Sequence, residues 1–188
     1  MKNIVIVLAG PSGVGKDSVM LGLINKHPNL YQKFANTTTR EKRLGEVEGV
    51  NYHYVTQDEF LRRIKFGEVF EHVIHYGNYY GMSKKAIEQV WERGLIAINN
   101  CQINGIRETK KLYGKNCVTV FIKAPHEVVK ARLIGRGDSA EQRKIRADYD
   151  EFMALEPEFD ISIENKILEK AIDELHQAIV KYGLEKKL

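Results

Sequence analysis

The sequence predicts an α/β fold, a three-layer core around a mainly parallel sheet with a P-loop, and three observations carry that expectation. Strand-like and helix-like periodicities alternate along most of the chain. The first strand-like run, Ile4 to Leu8, is apolar at every position, as burial on both faces of a parallel sheet demands. The region from about Phe34 to Tyr80 then breaks the alternation. It is rich in Tyr, Thr, Gly and charge, with short alternating runs such as Val50 to Val55, and reads as a small mixed β insertion.

Taken in order, the run at Ile4 is followed by a glycine-rich turn, and Met20, Leu23 and Ile24 recur at helical spacing behind it. Ser83 to Arg93 reads as a helix with Ala86, Ile87, Val90 and Trp91 inward and Gly94 as its stop. Leu95 to Ile98 and Val118 to Ile122 are strand candidates, and Pro125 opens the next helix, where its missing N–H costs nothing. Ile161 to Ile163 makes a last short strand. Asn165 is placed to cap a final helix with Leu168, Ile172, Leu175 and Ile179 on one face. A polar, Arg-rich stretch from Gly135 to about Arg146 suits a mobile segment over a site. The expected division is a core at about 1–33, 81–134 and 147–188, an insertion at 34–80 and a lid at 135–146.

The chain has 188 residues, enough for one domain with a real core, and its 43% hydrophobic and 29% charged content excludes a disordered chain. A formal charge of +4 with no dense Lys/Arg run argues against a nucleic-acid surface and suits an enzyme of polyanionic small molecules. No apolar stretch is long enough to span a bilayer or serve as a signal core. Cys101 and Cys117 have no metal-like spacing and read as buried free thiols, so a reducing cytoplasm is expected. The six histidines show no ligand spacing. Composition leaves monomer and homodimer open.

Gly10-Pro-Ser-Gly-Val-Gly-Lys16 stands between the first strand and the first helix, the context a P-loop requires. Glycines let backbone N–H groups turn toward phosphate oxygens, and the helix start adds its positive dipole end. Lys16 would bridge the β- and γ-phosphates of ATP. The next residue should carry a hydroxyl for Mg²⁺, but it is Asp17, with Ser18 following; a carboxylate is itself a hard oxygen ligand. Downstream, Arg40 and Arg43 stand three apart in a Thr-rich turn and offer two planar donor forks to one phosphate. Tyr52 and Tyr80 can add phenolic donors. Arg132 and Arg136 are four apart on one helical face, with Arg143 and Arg146 beyond.

The run Thr37-Thr-Thr-Arg-Glu-Lys-Arg-Leu-Gly-Glu-Val-Glu-Gly-Val-Asn-Tyr52 closely resembles the GMP-binding segment of guanylate kinases. Phe70-Glu71 and Gly77-Asn-Tyr-Tyr80-Gly81 resemble that family's base- and phosphate-binding stretches, Arg132-Leu-Ile-Gly-Arg136-Gly137 its lid, and Asp160-Ile-Ser-Ile-Glu-Asn165 its closing strand. The resemblance implies transfer of the γ-phosphate of Mg·ATP to GMP. It implies ATP contacts from Gly10, Pro11, Ser12, Gly13, Val14, Gly15, Lys16, Asp17 and Ser18, and catalytic roles for Lys16, Arg132, Arg136 and Arg146. It implies GMP contacts at the positions of Asn36, Arg40, Arg43, Glu46, Tyr52, Glu71, Tyr80, Met82 and Gln102, with Glu71 taking the guanine N1 and N2 hydrogens. Mg²⁺ would be placed by Asp17, with Asn100 behind it.

The departures are as informative. Asn100 and Gln102 stand where the family usually has Asp, Met82 where it has Ser or Thr, and Asn36 where Ser is common. The Gly-Lys-Asp-Ser loop also resembles that of ribose 1,5-bisphosphate phosphokinases, which lack the equivalents of Arg43, Tyr52 and Glu71. Non-catalytic guanylate-kinase-like binding domains resemble the fold but tend to lose the P-loop and lid residues present here.

Overall fold

In the computed structural model, which describes residues 3–134 and 149–186, two sheets share the chain. Strands β1 (Val5–Ala9), β2 (Tyr31–Lys33), β7 (Ile96–Asn100), β8 (Cys117–Lys123) and β9 (Ile161–Glu164) form a five-stranded sheet in the order β2-β7-β1-β8-β9. Every pairing in it is parallel. Strands β3 (Asn36–Thr38), β4 (Tyr52–Tyr54), β5 (Val69–His75) and β6 (Asn78–Ser83) form a second sheet in the order β4-β3-β6-β5. It is mixed: β3 runs parallel to β4 and antiparallel to β6.

The layers follow from the pleat of β1. Ile4, Ile6 and Leu8 face α1 (Lys16–Lys26) and α6 (Leu168–Lys186), meeting Met20, Leu23, Ile172 and Leu175. Val5, Val7 and Ala9 face the other way, onto Ala86, Ile87 and Val90 of α3 (Lys84–Glu92) and Ile106 of α4 (Ile103–Tyr113). A strand apolar at every position therefore serves two cores, one on each face. Helix α5 (His126–Ile134) adds Val129 to the first of them.

Several elements differ from expectation. The strand after α3 runs on to Asn100, and β2 is a three-residue edge strand too short to show a period. The insertion contains a helix, α2 (Gln57–Lys65), whose first turn is capped by Thr56 Oγ1 accepting from the Glu59 N–H at 3.3 Å. Only Phe60 of α2 is fully buried, so a single apolar anchor among charges left no readable stripe. Within Val50 to Val55 only Tyr52–Tyr54 is strand. Trp91 is half-buried and donates its Nε1–H to the Ile4 carbonyl at 2.8 Å, joining α3 to the start of β1.

The seam between α1 and α6 depends on Gly22. A Cβ there would lie 2.2 Å from Ile172 Cδ1. Replacing Gly22 by Ala should gain about 1 kcal/mol of helix propensity but cost about 1–3 kcal/mol in overpacking, for a net loss measured by urea unfolding. Ile172→Val removes the offending Cδ1 and should restore part of that loss in the double variant. A Gly22→Ala protein as stable as the parent would show that Ile172 turns aside freely.

Candidate active site

Loop 10–15 leaves β1 and enters α1 at the carboxyl edge of the parallel sheet, where α/β sheets bind ligands. Gly10 is required by contact: a Cβ there would lie 2.0 Å from the Ile122 carbonyl oxygen of β8. Gly15 precedes α1 with φ +85°, in the left-handed region, and a Cβ there would lie 2.6 Å from Asn165 Nδ2. From outside the loop, Asn165 donates its Nδ2–H to the Val14 carbonyl at 2.8 Å, and Arg132 donates to the same carbonyl at 3.1 Å. Arg132 also donates to the Asn165 carbonyl at 3.0 Å. Ser12, Gly13, Lys16, Asp17, Arg132 and Asn165 are among the residues lining a cleft of about 500 Å³.

Lys16 Nζ donates to the carbonyls of Gly10 at 2.8 Å and Pro11 at 2.9 Å, which curls it over its own loop. Burial lowers its pKa, and Asp17 opposes that. Asp17 Oδ1 accepts from Asn100 Nδ2 at 2.6 Å, so the two positions that depart from the expected pattern touch. The register explains the contact. Asn100 pairs with Leu8 and points to the α1 side of the sheet; Asn99 pairs with Val7 and points to the opposite side.

On that opposite side, the second sheet carries the other set of named residues. Arg40 Nη2 donates to Glu46 Oε1 at 2.7 Å, and its guanidinium lies 5.5 Å from the Tyr52 ring centroid. The Tyr52 and Tyr80 rings stand edge to face, 5.9 Å apart. Glu46 is held by three groups: Arg40, the Arg43 N–H at 2.7 Å and the Tyr54 hydroxyl at 2.8 Å. The Arg40 hydrogen bond comes first among the causes that hold its carboxyl down to about 2. The Arg43 side chain lies in an exposed residue of this turn. Glu71 lies on β5 directly across from Met82, and burial, with Glu108 nearby, raises its pKa above the usual 4.5.

Four expectations change in physical detail. Met82 is 1% exposed, packed in the core beneath the second sheet, and offers a thioether wall rather than a polar contact. Glu46 has both oxygens engaged and braces Arg40. Gln102 is exposed and occupies the N-cap position of α4 without a side-chain cap bond. Asn165 does not cap the last helix, which starts only at Leu168; its amide is drawn under the P-loop instead. Arg136, Arg143 and Arg146 lie outside the described residues. Sequence reasoning missed Asn99 and Tyr54. An amide closing an apolar strand run, as Asn99 does after Ile98, was the available signal for the first.

A glycine loop between β1 and α1, a lysine at its end and a five-stranded parallel sheet together define a P-loop kinase fold. A solved guanylate kinase from Anaplasma phagocytophilum superposes with a TM-score of 0.69 at 24% identity, over 96% of this chain and 86% of that one. Residues 2–182 match the family model described as guanylate kinase, and the chain belongs to that family. A Bifidobacterium longum relative named guanylate kinase is 39% identical, with 95% of each chain covered. One from Clostridium perfringens, likewise named, is 39% identical over 137 residues; the match takes in 72% of this chain but 62% of that relative's length.

The Arg40–Glu46 pair sets a pH expectation. The Glu46 carboxyl titrates near 4.5 when unfolded and near 2 when folded, so its contribution is full above 4.5 and is lost as pH falls toward 2. In thermal unfolding, the gap between parent and Glu46→Gln should be open at pH 6, closed at pH 2, and narrower in high salt. A gap independent of pH would show that the charge on Glu46 is immaterial.

Proposed function

We propose that this protein transfers the γ-phosphate of ATP to the phosphate of GMP, giving ADP and GDP. One observation supports this acceptor best: Arg40, just past the end of β3, clusters with Tyr52 and Tyr80 of the same small sheet that carries Glu71, so phosphate-holding donors and a base-reading acceptor share one support. Under this reading Arg40 and Arg43 grip the GMP phosphate, and Tyr52 and Tyr80 add neutral donors. Glu71 accepts the two hydrogens of the guanine N1 and N2 edge. Lys16 turns from its loop carbonyls to the β- and γ-phosphates, and the loop N–H groups cradle them. Arg132 steadies the loop through Val14. Arg136 and Arg146 are assigned to the moving phosphoryl group by their place in the sequence alone, and residues 135–146 to a lid.

In the transfer an oxygen of the GMP phosphate forms a bond to the γ-phosphorus, and the bond from that phosphorus to the β-bridging oxygen breaks, leaving ADP. No general base is required, since the attacking oxygen is already anionic near neutral pH. The chain's part is positioning, charge stabilisation and exclusion of water. Mg²⁺ suits the oxygen donors at the loop. It typically binds through one or two carboxylates plus substrate phosphates, and Asp17 supplies one carboxylate, steadied by Asn100. When bound it would neutralise charge on the phosphates. The two free cysteines, with burial pushing Cys117 up to about 12, suit a reducing cytoplasm.

An ADP-release assay over GMP, dGMP, AMP, UMP, CMP and ribose 1,5-bisphosphate tests the reading, with GMP expected to lead. Ribose 1,5-bisphosphate outrunning every nucleotide would overturn it. Arg40→Ala should cost about 3–4 kcal/mol in acceptor kcat/KM, because it also leaves Glu46 facing the phosphate, and Arg43→Ala about 2 kcal/mol. ATP affinity should change little in either.

Asp17 and Asn100 should act as one unit. Asp17→Ala should raise the Mg²⁺ concentration needed for half-maximal ATP binding. In a double-mutant cycle with Asn100→Ala the coupling should exceed about 1 kcal/mol. Additive effects would leave Asp17 as an acid favoured only by the helix dipole.

A further inference from the structure

Asn99 is a buried amide, 1% exposed, whose orientation is dictated by the backbone. Its Oδ1 accepts from the Asn100 N–H at 2.9 Å, and its Nδ2 donates to the Phe34 carbonyl at 2.8 Å. A peptide N–H can only donate and a carbonyl only accept, so the Asn99 amide cannot be reversed without breaking both bonds. Its second Nδ2 hydrogen goes to Asn36 Oδ1 at 3.1 Å. The oxygen of Asn36 is thereby committed to Asn99. Its own NH₂ group points away, and among the described residues no acceptor takes it.

The register shows where that group stands. Thr37 pairs with Gly81 and Thr38 with Tyr80, so one step further sets Asn36 opposite Met82, and Met82 in turn pairs with Glu71. Residues directly opposite in neighbouring strands share a face. Asn36 and Glu71 therefore flank buried Met82 on one face, two strand spacings or about 10 Å apart, room for a ring with a hydrogen bond at either end. One flank presents a locked donor, the other a carboxylate acceptor.

We propose that Asn99 is a positioning residue that locks Asn36 as a hydrogen-bond donor toward the acceptor base, making this end of the site select a 6-oxopurine over a 6-aminopurine. The inference rests on the GMP reading and adds to it a second discriminator, independent of Glu71. A hydroxyl at either flanking position could rotate to donate or accept; the Asn99–Asn36 relay cannot.

The test compares three acceptors: GMP, inosine 5′-phosphate, which keeps the 6-oxo group but lacks the 2-amino group, and AMP. Asn36→Asp keeps the bond from Asn99 but removes the donor. It should lower kcat/KM for GMP and inosine 5′-phosphate about 100-fold and leave AMP unchanged or improved. Asn99→Leu frees the Asn36 amide to turn over, and should cut the oxo-to-amino preference about tenfold through acceptor KM, not ATP KM. With Asn36→Ser in place the rotatable hydroxyl leaves Asn99 no amide to orient, so adding Asn99→Leu to that background should change the preference no further. A loss from Asn99→Leu that is equally large with and without Asn36→Ser would reduce Asn99 to a structural role and overturn the proposal. So would an Asn36→Asp protein whose preference stays within about twofold of the parent, a result that does not depend on the Asn99 variants folding. A parent that turns over none of the three nucleotides takes down the GMP reading itself, and this inference with it.

Discussion

The carbonyl oxygen of Val14 is the point on which the phosphate loop is suspended. It accepts from Asn165, just past the last strand, and from Arg132, on the helix after β8, so two distant segments fix one peptide of a short loop. Glycine at position 15 makes the approach possible, since any side chain there would collide with the Asn165 amide. On the other flank the Ile122 carbonyl presses against Gly10. The loop is thus held by contacts that tolerate no Cβ at either end, which is how a glycine-rich segment becomes rigid despite its own conformational freedom. Rigidity matters because N–H groups stabilise developing charge only if they need not reorganise during transfer.

The end of β7 joins this loop to the second sheet. Because side chains alternate across a strand, consecutive residues Asn99 and Asn100 reach opposite sides, one to Asn36 and one to Asp17. A change in the position or twist of β7 would move both contacts together. The parallel sheet therefore sets the spacing between the phosphate loop and the second sheet through one strand end, without a dedicated linker. Its five strands, buried on both faces around β1, make that end a firm reference.

Much of this was legible in the sequence where a motif and its context agreed. The P-loop stood between an apolar run and a helical period, and the parallel core followed from alternation. The mixed sheet of the insertion was legible from its Tyr- and Thr-rich runs. Its helix was not, because α2 buries only Phe60 and balances Glu59 against Arg62 and Arg63 on its surface. Asn165 looked like a helix cap because Asn before an apolar stripe usually is one; only tertiary structure could draw it under Val14 instead. Met82 and Glu46 were legible as positions in a motif but not as environments, since neither burial nor brace can be read from spacing. The touch between Asp17 and Asn100 was foreshadowed by two departures that make sense only together.

Glu46, in the loop between β3 and β4, and Glu71, on β5, show how environment assigns roles to identical groups. Glu46 is surrounded by donors, namely Arg40, the Arg43 N–H and the Tyr54 hydroxyl, and its carboxyl is driven down to about 2. It stays ionised near neutral pH, and its two oxygens already accept three hydrogen bonds from the protein itself. Glu71 is driven the other way, by burial and by the nearby charge of Glu108, and no donor stabilises it within the described residues. An acceptor kept without donors is a high-energy group whose satisfaction by a ligand's N–H groups is strongly favourable. Carboxylates pushed apart in this manner mark a division between structural and recognition roles. By that criterion Glu46 serves as a structural brace, and Glu71 suits the base-reading role proposed for it. Under the proposed reading, a base unable to donate two hydrogens would leave the half-buried Glu71 unpaired, and discrimination would come from what the wrong ligand fails to satisfy.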